Sequence, residues 1–135
     1  AGRLVVGGAA LMATRPLVLF AHGARAESWK APFERLRAMS QERMPEVPVS
    51  LAFLELMEPR LPAEVARLAA QGITDITVVP VFLGQGGHVL RDLPLMVDEL
   101  RGSHQGVEIR VVAAVGEDPA VLDAMTNYCI AAAKS

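Results

Sequence analysis

The stretch "VPVFLGQGGHVLRD", residues Val79 to Asp92, joins an apolar run to a cluster of glycines and then to a single histidine. A continuous apolar run is the pattern of a strand covered on both faces, as in a parallel sheet flanked by helices. Gly84, Gly86 and Gly87 then predict a sharp turn that lets something approach the backbone closely. His88 is the first side chain beyond that turn able to do chemistry on a visitor. The stretch reads as a strand that opens onto a site.

Working outward, three more runs have the same character: "PLVLFAH" at 16–22, "VSLAFLEL" at 49–56 and "VEIRVVAAV" at 107–115. Helical periodicity fills the intervals. Trp29, Phe33, Leu36 and Met39 mark one helix, closed by Pro45 and Pro48, and Leu61, Val65, Leu68 and Ala69 mark another, stopped by Gly72. Asp92 is placed to cap a helix carrying Leu93, Val97 and Leu100. Asp118 and Pro119 open a last one, with Val121, Leu122, Met125 and Cys129 on one face. Pro80 lacks an N–H, so the third strand should hold an irregular or unpaired position there. Alternating strands and helices predict an α/β fold, a three-layer sandwich with a four-stranded parallel sheet. The strand order expected is 2-1-3-4.

The chain has 135 residues, 52% of them apolar, and a formal net charge of −2. That length suits a single domain with a real core. Residues 12–135 read as that domain, and residues 1–11 as an N-terminal extension. Mixed charge without a basic stripe argues against a nucleic-acid partner. No apolar run approaches the roughly 18–20 residues of a membrane span. Cys129 is the single cysteine, which excludes an intrachain disulfide or a cysteine metal cluster and fits a reducing, cytoplasmic location.

Ligands of open parallel sheets bind beyond the carboxyl ends of the strands, where strand order reverses. His22 follows the first strand, Glu55 ends the second with Glu58 just after it, and His88 follows the third. In the order 2-1-3-4 these groups converge over one crevice. Imidazoles and a carboxylate suit a divalent first-row metal and also serve as proton acceptors. Each also has a plainer reading: a hydrogen-bonded structural histidine, a tight turn, or a solvated loop charge.

"LVLFAHGAR", "FLELMEP" and "VVPVFLGQGGHVLRDLP" together resemble the class II tetrapyrrole chelatases, and most closely the small single-domain sirohydrochlorin chelatase family. The resemblance runs from Pro16 to about Ala131. It implies a chelatase-like fold and insertion of Co²⁺ or Fe²⁺, with Ni²⁺ chemically similar, into sirohydrochlorin for cobalamin or sirohaem synthesis. His22 and His88 carry over as the metal-site histidines, with Glu55 as the acidic residue and Glu58 as a second candidate. Arg25 and Arg91 flank the histidine loops and are candidates, with Gly86 and Gly87, for contact with the polycarboxylate substrate. The metal is substrate, and no permanently bound cofactor is expected. A homodimer is implied, because two copies could enclose a large flat macrocycle. Ala21 and Ala24 depart from the glycine before, and the hydroxyl residue after, the first histidine of the family. A metal carrier or sensor is the alternative from another class. A histidine phosphatase fits less well, because it needs Arg where Ala21 stands.

Overall fold

A computed structural model describes residues 15–84 and 86–135, with the side chains of residues 88 and 90 outside the description. The expectation for residues 1–11 therefore lies outside the described residues. Strand β1 (Leu17–Ala21) leads through a 3-10 turn (Glu27–Lys30) into helix α1 (Ala31–Arg43) and strand β2 (Val49–Phe53). Helix α2 (Leu61–Ala70), strand β3 (Asp75–Pro80), helix α3 (Gly87–Ser103) and strand β4 (Glu108–Val111) follow. A second 3-10 turn (Val115–Glu117) and helix α4 (Pro119–Lys134) complete the order. The strands form one parallel sheet in the order β2-β1-β3-β4. The α/β sandwich is as the alternation predicts, and the sheet has the 2-1-3-4 order expected.

Register explains Pro80. It lies opposite Phe20 of β1, while the last β3–β4 pair is Val78 with Val111. The Val81 N–H donates to the Phe20 carbonyl and the Val112 N–H to the Val78 carbonyl. Odd positions of β3 thus bond to β1 and even ones point toward β4. Pro80's missing N–H faces β4 just past the end of that ladder, where a proline costs no strand bond.

Side chains alternate across the sheet. On one face Val18, Phe20, Ala52, Ile76, Val78 and Ile109 pack beneath α2 and α3 in a continuous core. Leu61, Val65 and Leu68 are the stripe of α2, and Val89, Leu93, Val97 and Leu100 that of α3. Glu64 is also buried, only 3% exposed, and takes a two-point bond from Arg67 at 3.0 and 2.5 Å. That bond raises the Arg67 guanidinium above its ordinary value, against the opposing pull of desolvation. Gly72 ends the α2 segment at φ +85°, the left-handed conformation a helix terminus commonly assigns to glycine.

The opposite face is covered in part. Leu19, Ala21, Val49, Leu51 and Phe53 pack with Trp29 and Phe33, and α1 rests on β2. Gln41 fastens α1 to the sheet edge: its side chain donates to the Met44 and Val47 carbonyls and accepts the Val49 N–H. Leu36 and Met39, expected in the inward stripe, are 38% and 52% exposed. The inward positions go instead to Phe33, Arg37 and Gln41, because the polar clamp sets the rotation of the helix.

One further expectation needs correction. Helix α3 begins at Gly87, not after Asp92, with Gly86 as its extended N-cap. Burial of Val89 in the stripe with Leu93 draws the earlier turn into the helix, which continues through Pro94 despite one lost backbone bond. Helix α4, capped by Asp118 through the Val121 N–H, has no buried residue.

Candidate active site

The crevice opens at the carboxyl ends of β1, β2 and β3, where β1 lies between the other two. His22 is the first residue beyond β1. The ladder to β2 continues past both strands: the Leu54 N–H donates to the Ala21 carbonyl at 2.9 Å, and the Glu55 N–H to the His22 carbonyl at 3.1 Å. These bonds set Glu55 beside His22. Their side chains meet with His22 Nε2 at 3.5 Å from Glu55 Oε2, each about half exposed. The separation exceeds a good hydrogen bond, and the partial exposure of both side chains leaves them accessible to solvent.

Gly23 makes this closeness possible. It has φ +99°, and a Cβ there would sit 1.8 Å from the Glu55 carbonyl oxygen. Only glycine fits both the left-handed backbone and that contact. The His22 ring is also flanked by Phe82, whose ring stands edge-on with centroids 6.3 Å apart. Phe82 in turn meets Phe20 edge-on at 5.8 Å, which ties the β3 exit to the buried core.

The loop after β3 is anchored from the 3-10 turn beyond β4. The Gly116 N–H donates to the Phe82 carbonyl at 2.9 Å, and a Cβ on Gly116 would lie 1.9 Å from the Leu83 oxygen. By contrast, Gly86 and Gly87 have open space where a Cβ would go, and neither has positive φ. The close backbone approach expected at Gly86 and Gly87 is found at Gly23 and Gly116. Position 88 falls in the first turn of α3, while the side chain of His88 lies outside the described residues.

Among the other candidates, Glu58 turns to Arg60 at 3.7 Å and is largely solvated. Arg91 pairs loosely with Asp92 at 3.8 Å, and Arg25 is exposed. Among the described residues, no group of three or more His, Cys, Asp or Glu gathers as a metal cluster. The described donors of the crevice are His22 and Glu55. Sequence reading missed Leu56, which has φ +67°, a left-handed conformation costing a branched side chain on the order of 1 kcal/mol. It also missed the roles of Gly23, Gly116 and Phe82. The His-Gly pair was the available signal for the first of these.

A family model described as CbiX matches residues 16–131. A sirohydrochlorin cobaltochelatase of Methanocaldococcus jannaschii is 35% identical over 89 residues, 66% of this chain and 62% of that protein. The matched segment thus spans under two thirds of that relative's length. The crystal structure of a putative cobalamin biosynthesis CbiX protein from Marinobacter aquaeolei superposes with a TM-score of 0.79 at 32% identity, covering 89% of this chain and 98% of that one. SirB from Bacillus subtilis with Fe³⁺ gives 0.71 at 25% identity, covering 84% of this chain and 45% of that one. With a family match across residues 16–131 and a fold that superposes on a CbiX crystal structure, the chain belongs to the CbiX family of class II chelatases.

Proposed function

We propose that this chain is a lyase-type chelatase that inserts Co²⁺ or Fe²⁺, with Ni²⁺ chemically admissible, into sirohydrochlorin for cobalamin or sirohaem synthesis. The observation that carries the reading is the half-exposed His22–Glu55 pair, held 3.5 Å apart at the sheet's reversal point. Insertion replaces two pyrrole N–H bonds with bonds to the metal, so one dication enters as two protons leave. An imidazole can hold the ion while water exchanges for ring nitrogen, and a carboxylate can take up a proton. A small donor set suits an ion that must be passed on.

His88 is the second metal-site imidazole in this reading. Arg25 and Arg91, with the open backbone at Gly86 and Gly87, meet the carboxylate rim of the substrate. The metal is substrate, not resident cofactor. The reading places the chain in the cytoplasm, which the single free Cys129 supports; no helix among the described residues is long and apolar enough to cross a membrane.

The partner is a second copy. Support comes from complementary surfaces: α4 buries none of its residues, and Leu122, Met125 and Ile130 are 46%, 41% and 46% exposed. Meanwhile the β3–β4 half of one sheet face presents Thr77, Val79, Arg110 and Val112, with Val112 41% exposed. Exchange of α4 between two copies covers both. Sedimentation should give twice the 14.4 kDa chain mass, and a monomer at micromolar concentration would defeat this assembly. Residues 12–135 form the working domain, so deleting 1–11 should leave metallation unchanged.

The deciding experiment is anaerobic incubation with sirohydrochlorin and Co²⁺ or Fe²⁺, followed by absorbance. Turnover above spontaneous metallation is expected; stoichiometric metal binding without turnover would make the protein a carrier. His22→Ala and His88→Ala should each lower turnover at least about tenfold, equivalent to about 1.4 kcal/mol of barrier. Full activity in either variant would remove that histidine from the mechanism.

A further inference from the structure

The loop after β2 accepts two unfavourable features at one residue. Leu56 has φ +67°, and its side chain is 51% exposed. The backbone conformation has a local reason. Glu55 must stay beside His22, held by its N–H bond to the His22 carbonyl, while Met57 returns at once to the core, 7% exposed. A left-handed step between them satisfies both demands, and glycine or asparagine would take it with less strain. Nothing in that turn calls for leucine.

Across the crevice a second large apolar side chain is equally uncovered. Leu83 is 62% exposed, and its backbone is held by the Gly116 contact described above. It follows Phe82, the residue edge-on to His22. Leu56 thus adjoins Glu55 from the β2 side, and Leu83 adjoins the His22 support from the β3 side. Each strand-end loop that supports the polar pair thus carries an exposed leucine next in sequence to one of its residues, Glu55 or Phe82.

We propose that Leu56 and Leu83 are specificity residues that form an apolar platform for the ring face of the tetrapyrrole, with the His22–Glu55 pair between them. The inference rests on the chelatase reading and names how its substrate is held. A flat macrocycle with a carboxylate rim has two surfaces to satisfy: the face favours apolar contact, and the rim favours cations. The leucines supply the first and are covered by the ring when it binds. They do not touch the ion.

The test separates tetrapyrrole binding from metal binding and from turnover. Metal-free sirohydrochlorin is titrated anaerobically into the full chain, and Co²⁺ affinity is measured separately by its visible absorption. Leu56→Asn relaxes the left-handed backbone and removes the apolar body. It should weaken sirohydrochlorin binding about tenfold, leave Co²⁺ affinity unchanged and leave the melting temperature equal or higher. Leu56→Met should retain binding, and Leu83→Ser should weaken it severalfold. Leu95→Ser, at a residue 62% exposed on the outside of α3, should change nothing. Leu56→Gly provides a second relaxed backbone should the asparagine variant fold poorly. Wild-type tetrapyrrole affinity in both the Leu56→Gly and Leu83→Ser variants would overturn the platform even if metallation persists, and so would a wild-type chain that binds no sirohydrochlorin. Binding that obeys this pattern without metal insertion would uphold the platform and defeat the chelatase reading alone.

Discussion

The two faces of the sheet are built from the same strands and finished differently. Beneath α2 and α3 the core runs across all four strands, from Ala52 through Phe20 and Val78 to Ile109. On the other side α1 serves β2 and its neighbour, and the β3–β4 half presents Arg110 bonded to Thr77 at 2.8 Å with Val112 beside it. A fully covered face contributes stability through close packing, where every lost methylene is felt. A partly covered face contributes less to the isolated chain and leaves room for association. The closed face stores stability, and the open half is where the proposed second copy would dock.

The largest test of that division is Phe20→Ala. Phe20 is fully buried on the closed face and braces Phe82, so truncation should cost about 3–5 kcal/mol in urea unfolding. A loss below about 1 kcal/mol would mean that the closed face is not the main store of stability. Next comes Arg67→Ala, which strands the buried Glu64 carboxylate. Because Arg67 is itself half exposed, a loss of about 1–3 kcal/mol is expected, and Glu64→Gln in the Arg67→Ala background should recover part of it.

Gly23→Ala sharpens the contrast at the site. The substitution meets both an unfavourable φ and the Glu55 carbonyl, so it should cost about 1–2 kcal/mol and lower metallation more than tenfold. Gly102→Ala, in the last turn of α3 with open space around its Cβ, should fold and metallate close to wild type. The smallest stability effect belongs to the open face. Val112→Thr should change monomer unfolding by no more than about 0.5 kcal/mol, whereas Leu122→Glu should shift sedimentation toward the single chain. A large loss of unfolding stability from Val112→Thr would show that the open half is packed after all.

Much of this was legible in the residue order. Continuous apolar runs located the strands, and alternation with helical stripes predicted a parallel sheet, for which the order 2-1-3-4 was expected. That His22 and Glu55 lie together was legible because strand ends converge where the order reverses. What escaped depended on contacts distant in sequence. The rotation of α1 is set by Gln41 bonding to Val47 and Val49, a polar clamp that hydrophobic spacing cannot reveal, so Leu36 and Met39 were placed inward. The start of α3 was placed too late because Val89 reads equally well as the tail of a strand run and as the first member of a helix stripe. Gly86 and Gly87 drew attention by adjacency, while the crowded glycines are Gly23 and Gly116, whose neighbours lie in other loops. The amphipathic pattern of α4 told that it has an apolar side, but a period cannot say which surface receives it.

The position of β1 has a kinetic side. It is the earliest strand among the described residues and lies inside the sheet, pairing Leu17 with Val49 on one side and with Thr77 on the other. Neither neighbour is local. Its five apolar residues must wait for two long loops to close before either edge is satisfied, and such distant parallel pairings are slow to form because closure entropy is lost before contacts reward it. Refolding of this domain should therefore be limited by the docking of β3 onto β1, with the β1–β2 pair already formed.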